Sequence, residues 1–349
     1  MKILVADFLF VDAHKDMNLN FISAVSRFAE TDVLSLNGYY DNQREAFYKN
    51  KVRLLDVNAE RKSGALGARS FSLELMKKTA EAVQKKNYDA VLCLGFETTL
   101  FGLGLSKFKG LPVFIFHHKN IDELTSSTKR FAFGCYKNRV YHVVFEEFFR
   151  NRLVNEIGVR TEKVFVVPHP VKAIEGVPTE KRYDCVGLCN SNDEDFIKEA
   201  VNKECDFREY GLHILLRSKV HEKKDGPVEV IRGFMEKEIY DELMAAGKTV
   251  FVPLPETYIY RLSGSIYDAL SRRKLVYTTS KYYAQEYERR YPGTCKHVGS
   301  VDELIERLQE KRDSGASASF QQFIDGHSIE TVSNDIKQMV STVLKETNT

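Results

Sequence analysis

The sequence predicts an α/β protein made of two doubly wound, Rossmann-like domains facing across a cleft. Three observations predict it. At 349 residues the chain is longer than one hydrophobic core serves well, and it suits two domains of roughly 150 to 180 residues each. Short, continuously apolar runs alternate with helical patterns through both halves, as in parallel sheets covered on both faces. A stretch holding Pro168, Pro170, Gly176 and Pro178 divides the two series and reads as an interdomain linker.

The first series opens with KILVADFLF, a strand-sized run, then polar AHKDMNLN and a helical pattern through Phe21, Val25 and Phe28. Further strands are expected at 32–36 (DVLSL), 89–95 (DAVLCLG), 113–118 (VFIFHH) and 140–145 (VYHVVF), with helices at 72–86 and 147–157. The second series has strands at 183–189, 213–218, 249–254 and 274–279, alternating with helices at 193–202, 235–246, 264–272 and 301–312. Near the C-terminus, Ile329, Val332, Ile336, Val340 and Leu344 form a stripe of helical period, which predicts a docking helix. The expected boundaries are 1–172 for the first domain, 180–327 for the second and 328–349 for a helix returning to the first.

Hydrophobic content of 43% and charged content of 29% describe an ordinary globular chain. Its apolar runs are too short to span a bilayer, and MKILVADFLF lacks the extended apolar core and cleavage site of a signal peptide. Six scattered cysteines, without a zinc-type ligand set, read as reduced thiols of a cytoplasmic protein. A formal charge of +2 gives no argument for nucleic acid. No G-x-G-x-x-G or P-loop pattern is present.

Four stretches could carry chemistry. In VFIFHHKNID, His117 and His118 stand at the carboxyl end of a buried strand, where open α/β sheets place ligands; strand alternation lets at most one face a cleft. Either could serve as a base or hydrogen-bond a hydroxyl, or the pair could simply close the sheet edge. In RSK, Arg217 and Lys219 would project to one side of a continued strand and suit a diphosphate; a solvated loop is the bland alternative. After the strand VFVPL come Glu256, Tyr258, Tyr260 and Arg261, and then Ser263 and Gly264 open a helix carrying Asp268. Ser263 fits an N-cap, Gly264 allows close approach, and the first amides form an anion site beside Arg261. Finally, TKRFAFGCYKNR interleaves Lys129, Arg130, Lys137 and Arg139 with Phe131, Phe133 and Tyr136, without an acid. That pattern suits either an anionic lipid surface or a buried helix with a solvated basic face.

The segments FEEFFRNRLVNEIGVRTEKVFVVPHPV (145–171) and VPLPETYIYRLSGSIYDALSRRKLVYTT (252–279), with the order of elements, resemble the GT-B fold glycosyltransferases, most closely the retaining family 4 type. The resemblance implies a C-terminal domain that binds a nucleotide-diphosphate sugar, UDP- or GDP-linked, and an N-terminal domain that holds a glycan or lipid-linked acceptor. It implies no further cofactor and no metal; the DED at 193–195 falls at an expected helix start, where it caps. By similarity, Arg217 and Lys219 neutralise the diphosphate, the amides at Ser263 and Gly264 cradle its phosphates, and Asp268 meets the ribose. One of His117 and His118 falls near the transferred sugar.

The family's sugar-contacting glutamate is replaced by Tyr260, with Arg261 beside it and Glu256 further back. The expected activity is sugar transfer in bacterial surface polysaccharide synthesis, in the cytoplasm and at the inner face of the membrane. A catalytically inactive relative that binds a glycan or a partner protein is the alternative Tyr260 motivates, and a sugar-nucleotide epimerase shares the two-domain plan.

Overall fold

Strands that are apolar on both faces need cover on both faces, and the chain meets that need twice. The structure, a computed structural model, describes residues 1–349 except 8–14, 61–63, 109, 175–179, 311–315 and 349. It divides into two units. The first comprises Met1–Pro170, Tyr260–Leu262 and His327–Thr349, and the second Val171–Ile259 and Ser263–Gly326. Gly176 and Pro178 of the expected linker lie outside the described residues, as do 8–10 of the first apolar run and 311–312 of the expected helix 301–312.

The first unit holds a seven-stranded sheet in the order β3-β2-β1-β4-β5-β6-β7. Its strands are β1 (Lys2–Ala6), β2 (Glu30–Leu36), β3 (Val52–Val57), β4 (Ala90–Cys93), β5 (Val113–Phe116), β6 (Tyr141–Val144) and β7 (Val164–Val166), every pair parallel. β1, β4, β5 and β6 are buried along most of their length, which is why they read as unbroken apolar runs. β3, VRLLDV, lies at the sheet edge with Arg53 and Asp56 exposed, so its polar alternation hid it from a search for such runs. The terminal helix Ile329–Asn348 packs on the helix Lys15–Ser26, burying Val332, Ile336, Met339, Val340 and Val343, and Ser333 Oγ donates to the Ala24 carbonyl at 2.7 Å.

The second unit holds a six-stranded parallel sheet in the order β10-β9-β8-β11-β12-β13. Its strands are β8 (Tyr183–Gly187), β9 (Ile214–Ser218), β10 (Val228–Arg232), β11 (Gly247–Val252), β12 (Val276–Thr278) and β13 (Cys295–His297). On one face the helices Glu194–Asn202 and Val301–Gln309 pack Phe196, Ile197, Val301 and Leu304 against Ile214, Leu216 and Phe251. Gly187 ends β8 because nothing larger fits: a Cβ there would stand 2.8 Å from Leu216 Cδ2 and 3.1 Å from the Phe251 carbonyl oxygen. All six cysteines are free thiols, four of them buried and two, Cys135 and Cys205, exposed.

Two buried polar clusters sit in the first unit. His142 Nε2 donates to the Lys137 carbonyl at 2.6 Å, so its Nδ1 carries a lone pair and accepts from His117 Nε2 at 2.9 Å. Burial holds His142 down at about 4 and His117 well below its usual 6.5. Asp7, at the end of β1, accepts from Asn18 Nδ2 at 2.7 Å and from the Tyr40 hydroxyl, and burial pushes its carboxyl up to about 6.

Between pH 6.5 and 4 the unfolded chain binds protons that folded His142 refuses. The imidazole contribution to stability is therefore complete above pH 6.5 and is lost as pH falls toward 4. Asp7 acts oppositely: its contribution is complete below 3.8 and is lost as pH rises through about 6. Urea denaturation at pH 7 and pH 5 separates the two. His142→Gln should reduce the loss of stability on going to pH 5 by about 2 kcal/mol while leaving the Asp7 contribution in place; equal losses in both proteins would show that the imidazole pair does not titrate against folding.

Candidate functional site

In the second unit the strand order reverses between β8 and β11, so the loops 188–193 and 253–263 leave the sheet at the switch point, where open α/β sheets bind ligands. Asp193 N–H donates to the Pro253 carbonyl at 2.7 Å and ties the two loops together. Asn192 Nδ2 donates to the carbonyls of Gly187 and Arg217 at 2.9 and 2.8 Å, clamping the ends of β8 and β9. Asp193 caps the helix Glu194–Asn202 by accepting from the amides of Asp195 and Phe196, so the DED run caps a helix as the sequence predicts. Glu194 takes the Ser218 hydroxyl on one oxygen and the Lys219 amide, at 2.8 Å, on the other, and so shapes the turn after β9.

Arg217 is buried, with Nε donating to the Gly233 carbonyl at 2.8 Å. β9 ends at Ser218, so strand alternation does not govern Lys219, which is exposed on the turn. The two still converge: Asn192, Glu194, Arg217 and Lys219 line one crevice, and both cations lie within electrostatic reach of the Cys189 thiol. Burial raises that thiol above its usual range, against the pull of the two cations. Among the described residues neither cation forms an ion pair with a carboxylate.

Cys189 is also hydrogen-bonded to Ser265, in the first turn of the helix Gly264–Ser271, which puts that helix start beside the cations. Ser263 precedes the helix in extended conformation, but its hydroxyl makes no cap bond. Its Oγ is buried without a partner and its N–H donates to the Tyr283 hydroxyl at 3.1 Å, which corrects the expected capping role. The amides of Gly264 and Ser265 have no intrahelical acceptor, and a Cβ on Gly264 would meet nothing within 4 Å, so the helix end stands open. Asp268 sits one turn on, paired with Arg272 Nε at 3.2 Å and hydrogen-bonded to Tyr240; burial raises its carboxyl and Arg272 pulls it back down. Glu256 is exposed in the loop before.

In the first unit the histidine pair divides. His117 is a core residue, fully buried, stacked on His142 and set edge-on between Phe96 and Phe133, so it reaches no ligand. His118 lies at the sheet's carboxyl edge with Nε2 2.6 Å from the Leu94 carbonyl; donation from Nε2 puts the lone pair of the neutral ring on Nδ1. Tyr260 and Arg261 belong to this unit, not to the helix start that follows them. Asp122 accepts from Tyr260 N–H at 2.7 Å and Arg261 Nε at 2.6 Å, and the Tyr260 ring packs near Phe148 and Phe149 with the Arg152 guanidinium 5.3 Å from its centre. Arg261 is thus engaged by a carboxylate, which corrects its expected place among the phosphate-facing cations. An open groove of about 720 Å³, lined by Asn37, Asn58, Glu60, Ser70 and Glu74, runs along the ends of β2 and β3.

Among the described residues no cluster of histidine, cysteine or acidic side chains could hold a metal ion, and no helix is long and apolar enough to cross a membrane. Sequence reasoning missed Asp122, Glu194 as a turn anchor, and the Asp7 cluster. An acid ending the first apolar strand was the available signal for Asp7.

No known protein family's sequence profile matches the chain, and no curated protein matches it in sequence. Solved structures do. HepE of Anabaena, crystallised with UDP and glucose, is 14% identical over 98% of this chain and 100% of its own, with a TM-score of 0.68. The UDP-GlcNAc 2-epimerase of Neisseria meningitidis, bound to UDP-GlcNAc, is 13% identical over 98% and 100%, with a TM-score of 0.61. The lipopolysaccharide outer core galactosyltransferase WaaB, in its apo form, is 11% identical over 98% and 99%, with a TM-score of 0.59. Two Rossmann-like α/β units, each a parallel sheet flanked by helices, give this chain the GT-B architecture.

Asn192 makes a sharp test of the second unit's edge. Removing it takes one donor from each of two strand-end carbonyls, so Asn192→Ala should cost about 2 to 4 kcal/mol in urea denaturation. Asn192→Asp, of equal size, should cost at least as much, because it turns an oxygen toward both carbonyls. A smaller loss for Asp than for Ala would refute the clamp.

Proposed function

We propose that the protein transfers a sugar from a nucleotide-diphosphate sugar, UDP- or GDP-linked, to a glycan or lipid-linked glycan in bacterial surface polysaccharide synthesis. The reading places it in the cytoplasm, at the inner face of the cell membrane. The observation that carries it is the convergence of Arg217 and Lys219, neither ion-paired, beside the open N-terminus of the helix Gly264–Ser271 at a switch point. UDP, UDP-glucose or UDP-GlcNAc occupies several of the similar structures, which supports a donor of that class.

In the transfer, the bond from sugar C1 to the phosphate oxygen breaks and one to the acceptor hydroxyl forms. Negative charge grows on the departing diphosphate. Fixed cations and helix amides favour that charge more than the ground state, which is where electrostatic catalysis acts. We read the transfer as retaining, of the family 4 type, with the departing phosphate taking the acceptor's proton. In an inverting transfer a base is required, and His118, at the carboxyl end of β5, is the candidate we retain.

A second reading rests on Tyr260 and Arg261, both committed to residues of the first unit. A GT-B-like protein that binds a glycan or a partner without turnover would tolerate that commitment. Incubation with a panel of nucleotide sugars, with and without acceptor extract, decides the matter. Acceptor-dependent release of nucleoside diphosphate is the expected result; a new sugar nucleotide without acceptor would mean epimerisation, and neither binding nor turnover would leave the second reading. In calorimetry with UDP, Arg217→Ala should weaken binding by about tenfold or more, and Arg261→Ala far less. Equal losses at both positions would return Arg261 to the phosphates.

A further inference from the structure

The helix Ser127–Gly134 turns an aromatic ring to solvent. Phe133 and Tyr136 point into the core, where Phe133 packs on the two histidines and Tyr136 on Phe101. At 100° per residue the opposite face runs through Ser127, Phe131, Gly134 and Cys135, with Arg130 at its flank, all exposed, and Phe131 lies near the centre, 77% exposed. Leu103, 68% exposed, follows Gly102, whose Cα lies so close to Tyr136 that a Cβ would be 2.8 Å from that ring.

The charge around them has one sign. Leu124 to Phe145 contains no acid and four cations. Lys129 pairs with Glu123 at 3.1 Å, but Arg130 and Lys137 donate to the backbone carbonyls of Glu156 and Ile157, and Arg139 is exposed. The neighbouring acids Glu156 and Glu162 pair with Arg152 and Arg160 instead. Among the described residues, Arg130, Lys137 and Arg139 have no carboxylate partner.

The geometry points to a docking surface for an anionic membrane, with Phe131 entering the headgroup layer and Arg130, Lys137 and Arg139 meeting lipid phosphates. An anionic bilayer satisfies both halves of the patch, since it accepts an aromatic ring and attracts uncompensated cations. This goes beyond sugar transfer and does not depend on it: vesicle binding needs neither donor nor acceptor.

The experiment is flotation of the full chain with vesicles of phosphatidylcholine alone and of phosphatidylcholine with one-third phosphatidylglycerol. Binding to the anionic vesicles alone, reversed by high salt, is expected. Arg139→Glu should lower partitioning about fivefold or more, and Phe131→Ser several-fold, both with unchanged thermal melting because both side chains are exposed. Phe234→Ser, at another exposed phenylalanine in the second unit, should partition like the parent. Equal binding to both vesicles, no flotation, or parental partitioning of Phe131→Ser and Arg139→Glu would overturn the proposal. A dimer in sedimentation that Phe131→Ser disperses, without flotation, would assign the patch to a second copy of the chain.

Discussion

The second unit depends on a reversal of direction. Because the chain winds from β8 outward through β9 and β10 and then returns to add β11 on the other side, two loops part at one point on the sheet. The ends of β8 and β9 have to be held together at that point. Asn192 donates to one carbonyl of each, and Gly187 allows the close approach of β9 and β11 that makes this possible. The capped helix at Asp193 and the turn at Ser218, held by Glu194, follow directly on those strand ends.

The electrostatics of that edge follow from how Glu194 is used. A carboxylate beside Arg217 and Lys219 would ordinarily neutralise them, yet both its oxygens accept from the turn after β9. Its charge still weakens the local attraction for anions. Against it stand two cations and the helix end at Gly264, so the balance favours an anion with more than one negative charge over a single carboxylate. A buried guanidinium such as Arg217 is costly to leave without a counter-charge, which the diphosphate of the proposed donor would supply.

The parts of the fold legible in the sequence were those governed by periodicity and burial. β1, β4, β5 and β11 are buried runs, and the helices beginning at Glu194 and Gly264 start where polar residues follow a strand. β3 and β10 escaped because edge strands alternate polar and apolar residues, and β13 because three residues carry too little pattern. In the site, residue type and strand-end position singled out Arg217, Lys219 and Gly264. Pairings could not be read: Asp122 lies 138 residues from the Tyr260 amide it holds, and nothing local marks either as the other's partner. His117 and His118 look alike in sequence, and only the packing of His142 separates the core ring from the edge ring.

That pairing also accounts for the residue at position 260. Asp122 is only 7% exposed at its side chain, and a carboxylate so buried needs two good donors to offset its desolvation. The Tyr260 amide and the Arg261 guanidinium supply them, which fixes the backbone of this segment against the first unit. Once the backbone is fixed there, the side chain at 260 falls between Phe148 and Phe149 with Arg152 over its ring. An aromatic ring gains from all three neighbours, whereas a glutamate would bury a second carboxylate close to Asp122 with the Arg152 charge already shared with Glu156. The aromatic side chain at position 260 is therefore a packing consequence of the Asp122 anchor.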